Sequence, residues 1–269
     1  MKGGAAIGIF DSGIGGLTVA REIAARLPHE TLIYLGDTAR LPYGSKSAET
    51  VIKYAVRNVS FLKKHELKAI VVACNTASAV VLPALREIVD IPVLGVIEPG
   101  AQAAVAATRD GTIGIIGQPG TIRSGRYETA VLQRLPNATV YSLATPLLVP
   151  LAEEGWLGTE VSRLVLKEYL APLMEREIDT LVLGCTHYPL FKPEIAKLCA
   201  DTFKLDVVLV DSAVSITTEL EQHLARLGQL NETGAPRHRF FATDSAETFR
   251  QVGAAFWGGE FPQVLHIDL

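Results

Sequence analysis

A chain of 269 residues with 48% hydrophobic and 20% charged side chains can build one large core or two medium ones, as ordinary α/β proteins do. A net charge of −4 and a pI near 5.9 leave no basic excess, which argues against a nucleic-acid partner. No run is apolar enough to cross a bilayer, and the Gly-broken residues before Asp11 lack the continuous apolar stretch of a signal peptide, so no membrane partner is expected.

The elements then alternate. "AAIGIF" reads as a strand, followed by "DSGIGG" and a helical pattern through Leu17, Ala20, Ile23 and Ala24. "TLIYLGD" repeats the design, and after the Pro42-Tyr43-Gly44 turn Ser47 can cap a helix with Val51, Ala55, Val59 and Leu62 on its apolar face. "KAIVVACN" and "IPVLGVIE" are third and fourth strands. The pattern restarts with "GTIGIIGQPGTI", "ATVYSLA", "DTLVLGCTHYP" and "DVVLVDSA". A helix over 215–227 and the strand-like "RFFATD" and "VLHIDL" close the chain. Near-continuous apolar strands alternating with helices predict an α/β fold: two similar domains, each with a parallel sheet covered on both faces. Lys63-Lys64 and Arg237-His238-Arg239 read as solvated surface.

Polar residues gather where the strands end. Asp11-Ser12 follow the first strand, Asp37 the second, and Cys74-Asn75-Thr76 the third; Cys185-Thr186-His187 follow the matching strand of the other half. In parallel sheets such ends converge on one crevice. "DSGIGG" is not a dinucleotide fingerprint, because Thr18 stands at the third glycine position, yet its turn could seat an anion. A plain capping role for Asp11 or Ser12 competes with ligand binding, as it does for Asn75. Tyr43 and the amides around Gly44 could hold a second carboxylate, or form an exposed turn.

The three cysteines, at 74, 185 and 199, are odd in number, which with no secretory signal points to reduced thiols and the cytoplasm. Cys199 lies in a helix-like stretch and reads as a buried hydrophobe. For the other two, a disulfide conflicts with compartment, and Cys74, Cys185 and His187 lack the paired spacing of a zinc site. A covalent nucleophile with His187 as base leaves one thiol idle. Acid–base chemistry from two sides uses both: reversing a stereocentre needs a base on one face and a proton donor on the other.

The segments "FDSGIGG", "GDTARLPYG", "ACNTAS", "VIEPG" and "GCTHYPL" resemble the signatures of the cofactor-independent glutamate racemases, from Ile7 to at least Asp211. That resemblance implies interconversion of L- and D-glutamate for peptidoglycan, without cofactor or metal. It implies that Cys74 takes the α-proton of D-glutamate and Cys185 that of L-glutamate. Asp11 and His187 would assist the thiols, with Glu153 in "VPLAEEG" near the second; adjacent Glu154 is the competing assignment. Ser12, Tyr43, Gly44, Asn75, Thr76, Thr121, Thr186, and again Asp11 and His187, would hold substrate. The first domain is then residues 1–96 with 208–269, the second 97–207, and a homodimer is expected. Two positions depart from the family pattern: Thr145 replaces a frequent cysteine and Gln118 a frequent threonine. Related aspartate racemases tend to carry glutamate at the place of His187. Racemases of aspartate or hydantoin, and a non-enzymatic amino-acid binder, are the rival readings.

Overall fold

The computed structural model describes residues 4–269. Its first half runs β1 (Ala6–Asp11), α1 (Leu17–Arg26), β2 (Leu32–Gly36), α2 (Ala48–Leu62), β3 (Leu67–Val72), α3 (Asn75–Ser78), α4 (Leu82–Arg86) and β4 (Val93–Gly95). There follow α5 (Ile97–Ala107), β5 (Thr112–Gly117), α6 (Pro119–Arg123), α7 (Arg126–Arg134), β6 (Thr139–Ala144), α8 (Leu148–Glu153), α9 (Glu160–Met174), β7 (Thr180–Gly184) and α10 (Lys192–Lys197). The chain ends with β8 (Val208–Asp211), α11 (Ser212–Arg226), β9 (Arg239–Ala242), α12 (Ala246–Trp257) and β10 (Val264–His266).

The strands form two sheets, ordered β10-β9-β2-β1-β3-β4 and β6-β5-β7-β8, with every pairing parallel. Both faces of each sheet are apolar. On β1, Ile7 and Ile9 enter the core under α1, whereas Phe10 enters the one under α2 with Ile70 and Val72. On the second sheet Ile113 and Ile115 pack with Ala101, Ala104 and Tyr127 of α5 and α7. Its other face, through Ile116, Leu181 and Leu183, joins the core that contains α1, so one apolar core runs through both lobes.

Local chemistry sets the boundaries. Ser47 Oγ accepts from the Thr50 amide, as its place before α2 predicts. The helix expected over 215–227 starts three residues earlier, because the Asp211 carboxylate caps it by accepting from the Ala213 amide at 2.9 Å. The expected return to the first lobe at residue 208 also shifts. Residues 208–211 are β8, paired with β7 from Thr180↔Val208 to Leu183↔Asp211, and so belong to the second sheet. A short apolar run carries no mark of which sheet will receive it. Among the described residues no helix is long and apolar enough to cross a membrane.

At the amino-terminal edge of the first sheet lies a buried ion pair, Lys68 Nζ to Glu30 Oε2 at 2.6 Å. Lys68 also donates to the Gln229 carbonyl, and Glu30 accepts from the Asn231 backbone and side chain. The link from α11 to β9 is thereby fastened to the sheet. Lys68→Met strands the Glu30 charge, so urea unfolding should show a loss of roughly 3–5 kcal/mol. The double variant Lys68→Met/Glu30→Gln should recover much of that loss; equal losses would contradict the pairing.

Candidate active site

Each sheet reverses its strand order between two neighbours, at β1/β3 in the first and β5/β7 in the second, and a crevice opens beyond the carboxyl end of such a switch. The two switches face each other. Between them lies a pocket with ≈ 40 Å³ open to the centre of a water molecule. Ser12, Tyr43, Gly44, Cys74, Asn75 and Thr76 of the first lobe line it, against Gln118, Thr121, Glu153, Cys185, Thr186 and His187 of the second.

Cys74 is buried at the start of α3, where its sulfur takes the capping place itself and accepts from the Ala77 amide at 3.5 Å. Asn75 is therefore free of capping, and its amide donates to Tyr127 Oη at 3.2 Å. Thr76 and Thr121 join their hydroxyls across the lobes at 2.9 Å. Asp11 does not cap α1: its Oδ2 accepts from the Gly13 amide, while Oδ1, fully buried, has no partner. Burial raises the Asp11 pKa against the opposing pull of His187. The Cys74 thiol is pushed up to about 12, first by burial and then by the Asp11 charge, with the Ser12 hydroxyl and the Ala77 amide working the other way.

The second thiol has different company. Cys185 Sγ lies 3.8 Å from His187 Nδ1, and His187 Nε2 lies 2.9 Å from Glu153 Oε1. Burial acts to lower the His187 pKa, but hydrogen bonds and charge from Cys185 and Glu153 outweigh it and lift the imidazole to about 10. The ring packs edge-on against Phe256 of α12, centroids 5.1 Å apart, and its other neighbour is Gly15, where any side chain would collide with the ring. Thr18 Oγ1 donates to the Thr186 carbonyl at 2.9 Å in the same seam.

Of the residues anticipated from sequence, all line the pocket except Asp11, which stands behind its wall, bonded to Gly13. Glu153 rather than Glu154 reaches His187. Tyr43 is buried and donates to Asp37, whose carboxylate also accepts from Thr243 and Arg40 at 2.9 Å each. Sequence reasoning missed Leu41, Pro42 and Val149 in the lining, although Leu41-Pro42 adjoin the turn already singled out. No group of three or more His, Cys, Asp or Glu side chains suited to holding a metal occurs among the described residues.

Two doubly wound lobes with a thiol from each at their switch points define a class: a two-lobed α/β protein with one pocket between the lobes, lined by ionisable side chains. The sequence matches the family of Asp/Glu/hydantoin racemases over residues 17–220. It is 49% identical to the glutamate racemase of Geobacter metallireducens over 98% of this chain and 97% of that one. Among solved structures, a glutamate racemase from Bacillus anthracis superposes with a TM-score of 0.94 at 43% identity, over 99% of this chain and 98% of the other. That of Francisella tularensis, in complex with D-glutamate, superposes with 0.91 at 40% identity and the same coverage. The chain belongs to the Asp/Glu/hydantoin racemase family, and is an amino-acid racemase.

A histidine whose folded pKa lies above its unfolded value stabilises the fold fully below about 6.5, and that contribution is lost as the pH rises through about 10. Glu153→Gln removes one of the two groups that raise it. An NMR titration of the His187 ring should then show a midpoint clearly below that of the unsubstituted protein. An unchanged midpoint would mean that Glu153 does not hold the imidazolium.

Proposed function

We propose that the protein interconverts L- and D-glutamate by a two-thiol, two-base proton transfer at the α-carbon, in the cytoplasm, supplying D-glutamate for peptidoglycan. The observation that carries this reading is the presence of both strand-end thiols, Cys74 and Cys185, in the wall of one buried pocket, each from a different lobe. The relatives named above as glutamate racemases, one of them complexed with D-glutamate, support the choice of substrate.

In this mechanism one thiolate takes the α-hydrogen as a proton and the opposite thiol delivers its own proton to the other face. No group is oxidised or reduced, and the reading calls for no cofactor. The difficulty is twofold: a buried thiol resists ionisation, and the α-carbon is weakly acidic. An ammonium group arriving beside Asp11 and Cys74 favours the ionised forms of both. Preorganised donors around the substrate carboxylates, Asn75, Thr76, Thr121, Thr186 and the amides at Tyr43 and Gly44, offset charge that develops at the carbanion. On the other side, the protonated His187 between Glu153 and Cys185 assists the second thiol. The two faces thus reach ionisation by different routes.

Two units, 1–96 with the chain after Asp211 and the segment between, would close over the ligand. The hinge falls at Val96–Ile97 and Asp211–Ser212, where the chain passes from one sheet to the other. Closure excludes water, and product release then shares control of turnover. A homodimer belongs to the same proposal. Sedimentation should give twice the 28.9 kDa chain mass, and a monomer would refute it.

Purified protein incubated with either glutamate enantiomer in D2O, without added cofactor, tests the chemistry. Racemisation should place solvent deuterium at the α-carbon of product from both directions. Cys74→Ser and Cys185→Ser should each lower turnover by roughly a hundredfold or more, the scale of losing a positioned acid–base group. Full activity in either variant would sink the mechanism. Preferential turnover of aspartate or a hydantoin would sink the substrate assignment instead.

A further inference from the structure

The paired registers allow the two lobes to be matched residue by residue. Phe10 pairs with Val72 on β1/β3, and Ile116 pairs with Leu183 on β5/β7, each two residues before its cysteine. Matching Cys74 with Cys185 therefore matches Asp11 with Gly117 and Ser12 with Gln118. On the next strand over, Phe10 pairs with Leu35 and Ile116 with Leu143, which matches Asp37 with Thr145. Gln118 thus occupies in the second lobe the place that Ser12 holds in the first, and both line the pocket.

Gln118 precedes α6 in the capping position, yet its side chain makes no cap bond. It reaches instead to Tyr188, where Nε2 donates to the hydroxyl at 3.2 Å. The proton count fixes this orientation. The Thr145 carbonyl, 2.8 Å from Tyr188 Oη, can only accept, so the tyrosine proton goes there. Tyr188 Oη must then accept from Thr145 Oγ1, also 2.8 Å away, and from Gln118. One Nε2 hydrogen is spent in this way, and the second is left uncommitted. Across the pocket the side chain abuts Gly44: a carbon added there would sit 3.0 Å from Gln118 Cβ and 3.2 Å from its Oε1.

We propose that Gln118 is a substrate-binding residue that gives its second amide hydrogen to the side-chain carboxylate of the amino acid, with Tyr188 and Thr145 as the positioning residues that aim it. This rests on glutamate as substrate and on the seat for a distal carboxylate at Tyr43–Gly44. A carboxylate held by backbone amides on one side gains a charge-assisted bond from the other lobe, which ties recognition of side-chain length to lobe closure. A shorter acid would leave the amide unmatched.

Steady-state kinetics on both enantiomers test this with Gln118→Ala, the isosteric Gln118→Glu, and Tyr188→Phe. Removing a hydrogen bond to a charged group should raise KM roughly tenfold in Gln118→Ala, with kcat within about threefold of the unsubstituted enzyme. Gln118→Glu, which sets one carboxylate against another, should raise KM further at unchanged thermal midpoint. Tyr188→Phe should give a smaller rise of the same kind. KM values within about twofold of the parent in both Gln118 variants would overturn the proposal, as would loss of kcat at constant KM. The parent enzyme separates the two readings: no turnover of glutamate there sinks the substrate assignment and this proposal with it, whereas normal turnover with unaffected variants sinks Gln118 alone.

Discussion

The structure depends on a seam in which bare glycine backbone in one lobe lets groups of the other approach closely. Gly15 lies against His187 and Thr186, and a carbon on Gly120 would stand 2.8 Å from the Gly44 carbonyl. Strand ends from separate sheets can oppose each other across a pocket only if such approaches are open. The same closeness strips water from both thiols, and desolvation is the largest influence on Cys74, Asp11 and His187 alike. Packing, exclusion of water and the tuning of the acid–base groups are therefore one constraint seen at three scales.

Desolvation alone would leave both halves neutral and inert. What differs is how each lobe opposes it. The first lobe answers with neutral donors to Cys74, the Ser12 hydroxyl and the Ala77 amide, and holds Asp11 nearby with one oxygen unpartnered. The second answers with charge, placing His187 between a carboxylate and a thiol so that burial is outweighed. The imidazole is packed by the apolar edge contact from Phe256 and fits against the chain only because Gly15 has no side chain.

Much of this was legible in the sequence because strand ends are marked by abrupt change, from apolar runs to Asp11, Cys74 or Cys185. The β-strands and the pairing of the two cysteine segments follow from that punctuation alone. What stayed hidden depends on partners far away in the chain. The contact of Phe256 with His187 joins residues 69 positions apart in chain order. The sheet that receives β8 is likewise decided by tertiary packing, since its four residues suit either edge. Glu153 and Glu154 are alike in sequence and are separated only by the helical turn that points one of them at the imidazole.

The duplicated scaffold also explains why likeness and unlikeness coexist in the site. An amino acid with two carboxylates is not symmetric about its α-carbon, so two identical lobes would fit it poorly. The strand registers keep the thiols equivalent, while the residues that follow or flank them diverge: Asn75-Thr76 against Thr186-His187, Ser12 against Gln118, Asp37 against Thr145. In both lobes the residue that follows the strand beside β1 or β5 fastens a buried tyrosine hydroxyl, Asp37 with Tyr43 and Thr145 with Tyr188. The scaffold repeats the anchoring and varies what is anchored. In the proposed mechanism the matched strand ends set one acid–base group on each face of the α-carbon, and the unequal neighbours suit an asymmetric ligand; parallel sheets with matched switch points provide both at once.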